Sequence, residues 1–278
     1  MTMWNLKALQ GADYRAHLDI AFNDGSVTDA EKDALIALYA QYEEAKGRPL
    51  PELKGPGHRA ELYELLYHAY ELVQDGRRLK ELRAQVKLRA AYCPYCGFAP
   101  ISQLDHFLQR TPFKLLSIFG LNLIPCCSPC NNGKRQHPSN APTEHQLHPY
   151  LEDVSGFSFL RATASLQPQT GGLAVKFWVE QPQGMLDELH QRLVTHLTEF
   201  GLQAKYEKQL NIFLGELEYS ISSSFAAGGA EGLKATLNGT ANATEKRFGT
   251  NDWRTALLRG LHDCPPFWQG GFRKALGF

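Results

Sequence analysis

Along the first ninety residues, apolar positions recur at helical spacing among charged ones. Ser26 and Thr28 stand before a stretch, 29–45, in which Leu35, Ile36 and Leu38 are set among charges, so a capped helix is predicted there. The breakers Gly47-Arg-Pro-Leu-Pro51 and Gly55-Pro-Gly57 end it. A second helix is predicted over 59–74, where Leu62, Leu65, Leu66, Tyr70 and Leu72 form one apolar stripe, and a basic helix over 77–90 follows the break at Gly76. The periodicity then stops. Residues 91–150 hold two short apolar runs, around Leu104 and over 121–124, among several Pro and Asn. Beyond Pro149 the alternation over 157–166, the turn residues 168–172 and the run 173–179 predict a β-hairpin. Helical patterns return over 185–222, 229–237 and 253–261, with no internal repeat or low-complexity segment. The class expected is α+β, in three stretches: a helical region over 1–90, a distinct module over 91–150, and a hairpin with helices over 151–278.

Composition changes this picture little. At 278 residues, 43% hydrophobic and 21% charged, the chain is long enough for one large or two modest cores, and disordered, collagen-like or coiled-coil architectures are excluded. The apolar stretch 121–127 contains Asn122 and Pro125 and falls far short of the roughly 20 residues that cross a bilayer. No membrane association is expected. The opening Met-Thr-Met-Trp-Asn-Leu-Lys has no apolar run of the secretory kind, so a reducing, cytoplasmic setting without disulfides is expected.

Charge changes it more. Twenty-nine basic and 29 acidic residues cancel overall, yet between Gly76 and Thr143 ten basic residues stand against only Glu81 and Asp105. A basic segment in an acidic frame points to a local site for a polyanion, although the part over 77–89 also reads as a solvated helix face.

Five of the six cysteines lie in that same segment. Cys93-Pro-Tyr-Cys96 and Cys127-Ser-Pro-Cys130 are two Cys-x2-Cys knuckles 30 residues apart, the pattern that closes a tetrahedral Zn²⁺ site with four thiolates. Cys126 could also pair with Cys130, but Cys127 repeats the first knuckle's spacing, and Cys126 ends an apolar run where a small buried residue belongs. Cys264 reads as a core cysteine. Four thiolates leave no position for water, so this zinc is expected to be structural.

Between the knuckles stand Asp105-His106 and Asn122, and Asn131-Asn-Gly-Lys134-Arg135 follows the last cysteine. Singly, Asp105 reads as a turn residue, Asn131 as a helix cap and His106 as a core histidine. Together, a carboxylate, an imidazole and amides are the parts that hold a hard cation and activate water. In order and spacing the stretch 92–137 resembles the HNH endonucleases, a family with a ββα-metal fold, in the zinc-stapled form that includes phage endonuclease VII. The resemblance implies that Asp105 and Asn131 hold a catalytic Mg²⁺, Mn²⁺ or similar ion, that His106 is the general base, and that Asn122 bonds across the hairpin to fix the loop bearing His106. It implies a metal-dependent endonuclease acting on DNA, expected to be double-stranded, with Lys134, Arg135, Lys114 and Arg110 as phosphate contacts. Chains of this kind also resemble nuclease subunits of phage-defence assemblies, for which an ATPase partner is expected by analogy. The sequence departs from many relatives where Gln109 replaces a proline and where 113–119 replaces a glycine pair; Phe113, Lys114 and Phe119 there either meet DNA or pack. His137, His145 and His148 follow closely enough to join the metal site or to lie in loops. The competing reading is a zinc-held module that binds nucleic acid or protein without cutting.

Overall fold

The computed structural model describes residues 4, 6, 13–134 and 144–277. They form two compact units, Trp4–Val154 and Ser155–Phe278. Both mix helices with a two-stranded antiparallel sheet, an α+β architecture.

In the first unit α1 (Tyr14–Ala21), α2 (Asp29–Glu44), α3 (Ala60–Ala69) and α4 (Lys80–Lys87) precede the hairpin of β1 (Gln103–His106) and β2 (Leu123–Cys126), and α5 (Ser128–Gly133) follows it. The Thr28 hydroxyl accepts from Glu31 N at 3.3 Å while the Glu31 carboxylate accepts from Thr28 N at 2.8 Å, a capping box that fixes the start of α2. Helix α1 was not predicted. It is short, and its start is set by the Asp13 carboxylate accepting from Ala16 N at 2.9 Å. Helix α3 tightens into a 3-10 turn over Tyr70–Val73, and α4 is shorter than the helix predicted over 77–90.

The residues between β1 and β2 fold back onto these helices. The Phe119 ring stacks on Tyr39 at 4.1 Å and meets Tyr42 edge-on at 5.2 Å, with all three side chains buried. Full burial of one such aromatic contributes about 1.5–3 kcal/mol. The stretches 1–90 and 91–150 therefore share one core, with no boundary between units near residue 90. Phe113 and Phe119 belong to that core and are not available to DNA.

In the second unit β3 (Leu160–Leu166) pairs with β4 (Leu173–Val179) through the predicted turn. The helices are α6 (Asp187–Glu199), α7 (Leu202–Glu216), α8 (Glu218–Phe248), α9 (Trp253–His262) and α10 (Phe272–Leu276). The helical pattern expected over 185–222 is divided at Gly201, whose φ of 58° is left-handed, and the pattern expected over 229–237 lies in a helix that runs on to Phe248 with a kink at Gly229. Helix α9 lies against the hairpin, with Leu257, Leu258 and Leu261 buried. Among the described residues no helix is long and apolar enough to cross a membrane.

Candidate active site

Cys93 and Cys96 come from the turn before β1, and Cys127 and Cys130 from the start of α5. Their four sulfurs lie within 4.8 Å of one another and all four residues are buried. A tetrahedral ion with Zn–S bonds of about 2.3 Å requires sulfurs about 3.8 Å apart, and Cys96 Sγ and Cys127 Sγ stand at 4.0 Å. The turn is closed by Gly97 N donating to Cys93 O at 2.7 Å, with Gly97 at a φ of 79° that favours glycine. None of the six cysteines is in a disulfide. Four soft donors in a closed shell fit a structural Zn²⁺. Hydrogen bonds from Cys130, Cys93 and Cys96 hold the Cys127 thiol down toward thiolate, whereas burial pushes the Cys126 thiol up; Cys126 stands outside the cluster, on β2. Cys264 is also buried apart from it, in the second unit.

Beside this centre, at the end of β1, a cleft of about 550 Å³ is lined by Asp105, His106 and Asn131, among others. Successive strand residues face opposite ways, so Asp105 and His106 reach one space only because β1 ends at His106 and the chain bends at Phe107. Asp105 is 7% exposed. Its Oδ2 accepts from the Tyr95 hydroxyl at 2.7 Å and from Lys134 Nζ at 2.7 Å, and its Oδ1 accepts no hydrogen bond among the described residues. Asn131 Nδ2 donates to Gln103 Oε1 at 2.7 Å, and among the described residues its amide oxygen accepts no hydrogen bond and could ligate a cation. One carboxylate oxygen and one amide oxygen at a common cleft fit a hard divalent ion completed by water.

His106 Nε2 is 2.9 Å from Ser117 O. A carbonyl only accepts, so Nε2 carries the hydrogen and Nδ1 keeps the lone pair. Burial lowers the pKa of the ring to about 4, with the Ser117 carbonyl opposing that shift, so the imidazole is neutral near pH 7. Its face is fixed by the Tyr70 ring, edge-on at 4.4 Å.

Asn122 is fully buried and uses its whole amide. Its Oδ1 accepts from Leu108 N at 2.7 Å and from the Tyr42 hydroxyl at 3.1 Å; its Nδ2 donates to Leu108 O at 3.1 Å and Leu116 O at 3.3 Å. Leu108 lies two residues past His106, so Asn122 holds that loop from across the hairpin. His148 supports it from behind: Nδ1 accepts from Tyr150 N at 3.2 Å, and Nε2 therefore donates to Tyr42 Oη at 2.8 Å. His148 thus serves the packing of this loop and does not join the thiolate cluster, nor does His145. His137 and Arg135 lie outside the described residues.

The four expected phosphate contacts separate. Lys134 is buried, with its ammonium on Asp105 Oδ2, His106 O at 2.6 Å and Phe107 O at 2.7 Å, so all three donors are taken and it does not offer itself to phosphate. Lys114 pairs with Glu64 at 2.6 Å, away from the cleft lining. Arg110 lines the cleft, its guanidinium 4.2 Å from the Tyr67 ring centroid. Sequence reasoning missed Tyr95, Gln103 and Ser117. Only Tyr95 carried a local signal, an aromatic residue inside a zinc knuckle.

No protein-family profile matches the chain, and no solved structure matches it. The chain is similar to protein ea31 of Escherichia phage lambda, with 24% identity over 192 residues. The match covers 64% of this chain and 64% of that protein, less than two thirds of the relative's length.

Proposed function

We propose that this chain is a metal-dependent endonuclease of the zinc-stapled HNH type, in which β1, β2 and α5 form the ββα-metal module and DNA phosphodiester bonds are hydrolysed. The observation that carries the reading is the meeting of Asp105, His106 and Asn131 in one cleft beside a four-cysteine cluster, with the lone pair of His106 left on Nδ1.

In this mechanism water gives a proton to His106 Nδ1 while its oxygen attacks the scissile phosphorus, and the bond to the 3′ oxygen breaks. The imidazolium that forms keeps its Nε2–H on Ser117 O, so the ring does not turn during transfer. Asn122, by holding Leu108, keeps the base from drifting out of line. A divalent ion such as Mg²⁺ or Mn²⁺, held by Asp105 and Asn131, supplies neutralisation of charge on the phosphate and the departing oxygen. The leaving oxygen takes its proton from solvent, giving 5′-phosphate and 3′-hydroxyl ends.

One observation favours a second reading. Lys134 already neutralises Asp105, which suits a zinc-held nucleic-acid binding module that needs no second metal. Supercoiled plasmid incubated with wild type and His106→Ala, in EDTA, Mg²⁺, Mn²⁺ or Ni²⁺, separates the two. Metal-dependent cutting by wild type alone, with zinc retained in the variant, supports the nuclease. Binding without cutting under every metal supports the module, and equal cutting by both proteins removes His106 as the base.

A further inference from the structure

Tyr70 stands at the junction of three cleft residues. Its ring meets His106 edge-on at 4.4 Å and lies 5.2 Å beneath the Arg110 guanidinium. Burial raises the Tyr70 hydroxyl, while the charge of Arg83, a hydrogen bond with Gln74, the charge of Arg110 and a hydrogen bond with Arg83 pull it back down. Arg83 comes from α4 in the helical region, and both arginines line the cleft that holds His106.

Each arginine has a carboxylate neighbour and keeps hydrogen-bonding capacity to spare among the described residues. Arg110 makes no hydrogen bond among the described residues; its carboxylate neighbour, Glu71, is 3.8 Å away and mostly exposed. Arg83 has a side chain only 11% exposed and an ion pair with Asp75 at 3.3 Å, yet its buried Nε makes no well-directed hydrogen bond among the described residues. A bond left unmade by a buried guanidinium is costly, and an anion in the cleft would complete it. Asp105 is the sole carboxylate in the cleft lining, and Lys134 already balances it.

We infer that Arg83 and Arg110, which line the cleft together with Tyr70, form a subsite for a backbone phosphate next to the one hydrolysed, so that the helical region takes part in holding the nucleic acid. This rests on the endonuclease reading and adds to it a binding residue on α4. Guanidiniums contact phosphate oxygens without regard to base, so the subsite sets position along the strand and not sequence.

The test is anisotropy of a fluorescein-labelled 20-base-pair duplex in EDTA over a salt series, using wild type, Arg83→Gln, Arg110→Gln and Arg83→Lys, each checked for zinc content and melting, with plasmid cutting measured in parallel. Loss of one phosphate contact should weaken binding and reduce the slope of log affinity against log salt by about one for each Gln variant, with Arg83→Lys keeping the wild-type slope. If wild type binds and both Gln variants keep its affinity and slope, the subsite is overturned, and continued cutting leaves the nuclease reading intact. Arginine-dependent binding by a protein that never cuts keeps the subsite and overturns the nuclease. Wild type that neither binds nor cuts overturns both.

Discussion

Lys134 has three N–H bonds, and the structure gives each an oxygen: one of Asp105 and the main-chain carbonyls of His106 and Phe107. Removing one partner of a buried ion pair costs about 3–5 kcal/mol, because the other charge remains without compensation. Lys134→Met is accordingly expected to lower the unfolding free energy by about that amount in urea titration, and an unchanged midpoint would show the pair to be dispensable. His106 offers a sharper check. Long-range ¹⁵N–¹H NMR near pH 7 should report a neutral ring with hydrogen on Nε2; hydrogen on Nδ1 would contradict the bond to Ser117 and remove the lone pair the mechanism requires. The cysteines, Asp105, His106 and Asn131 were legible because spacing around two knuckles is a local property of the sequence. Gln103, Ser117 and Arg83 were not, since each acts through a contact that exists only once distant segments have met. The role of Lys134 was misread for a related reason: position after a motif suggests a solvent-facing cation, and only the closed fold shows its ammonium turned inward.

At the scale of elements, legibility followed periodicity. The β3–β4 hairpin was readable from alternation and from its turn residues, and α2 from the cap residues Ser26 and Thr28 and its apolar positions among charges. Breaks in helices were harder, as at Gly201, where one left-handed residue divides a continuous apolar pattern. Close packing between elements was not readable at all. A Cβ on Gly260 of α9 would stand 2.5 Å from Ala162 O of β3. Alanine gains about 1 kcal/mol of helix propensity over glycine, whereas forcing packed elements apart costs about 1–3 kcal/mol. Gly260→Ala is thus expected to lower the melting temperature despite the better helix former. A rise would mean that α9 can move off the hairpin without loss.

For the molecule as a whole, the division into two units makes metal removal selective. The four-cysteine cluster, once filled by zinc, would tie the turn before β1 to α5, both in Trp4–Val154, while Ser155–Phe278 holds its own buried core around Trp253, Tyr206 and Phe177. Stripping zinc from the full chain with a chelator is expected to increase amide hydrogen exchange over 93–130 and leave 160–179 and 253–262 protected. Loss of protection in both regions at once would show that the units unfold together. The sequence placed the four-cysteine cluster but drew a boundary near residue 90, because a composition shift marks a change of chemistry and not the edge of a core.

Tyr95 sits between Cys93 and Cys96 of the four-cysteine cluster and donates to Asp105, so the carboxylate is aimed by a residue that an ion in that cluster would hold in place. On the proposed endonuclease reading this sets an order of maturation: the soft ion comes before the hard one finds a finished site, and a chain short of zinc is expected to be inert toward DNA rather than a less accurate cutter.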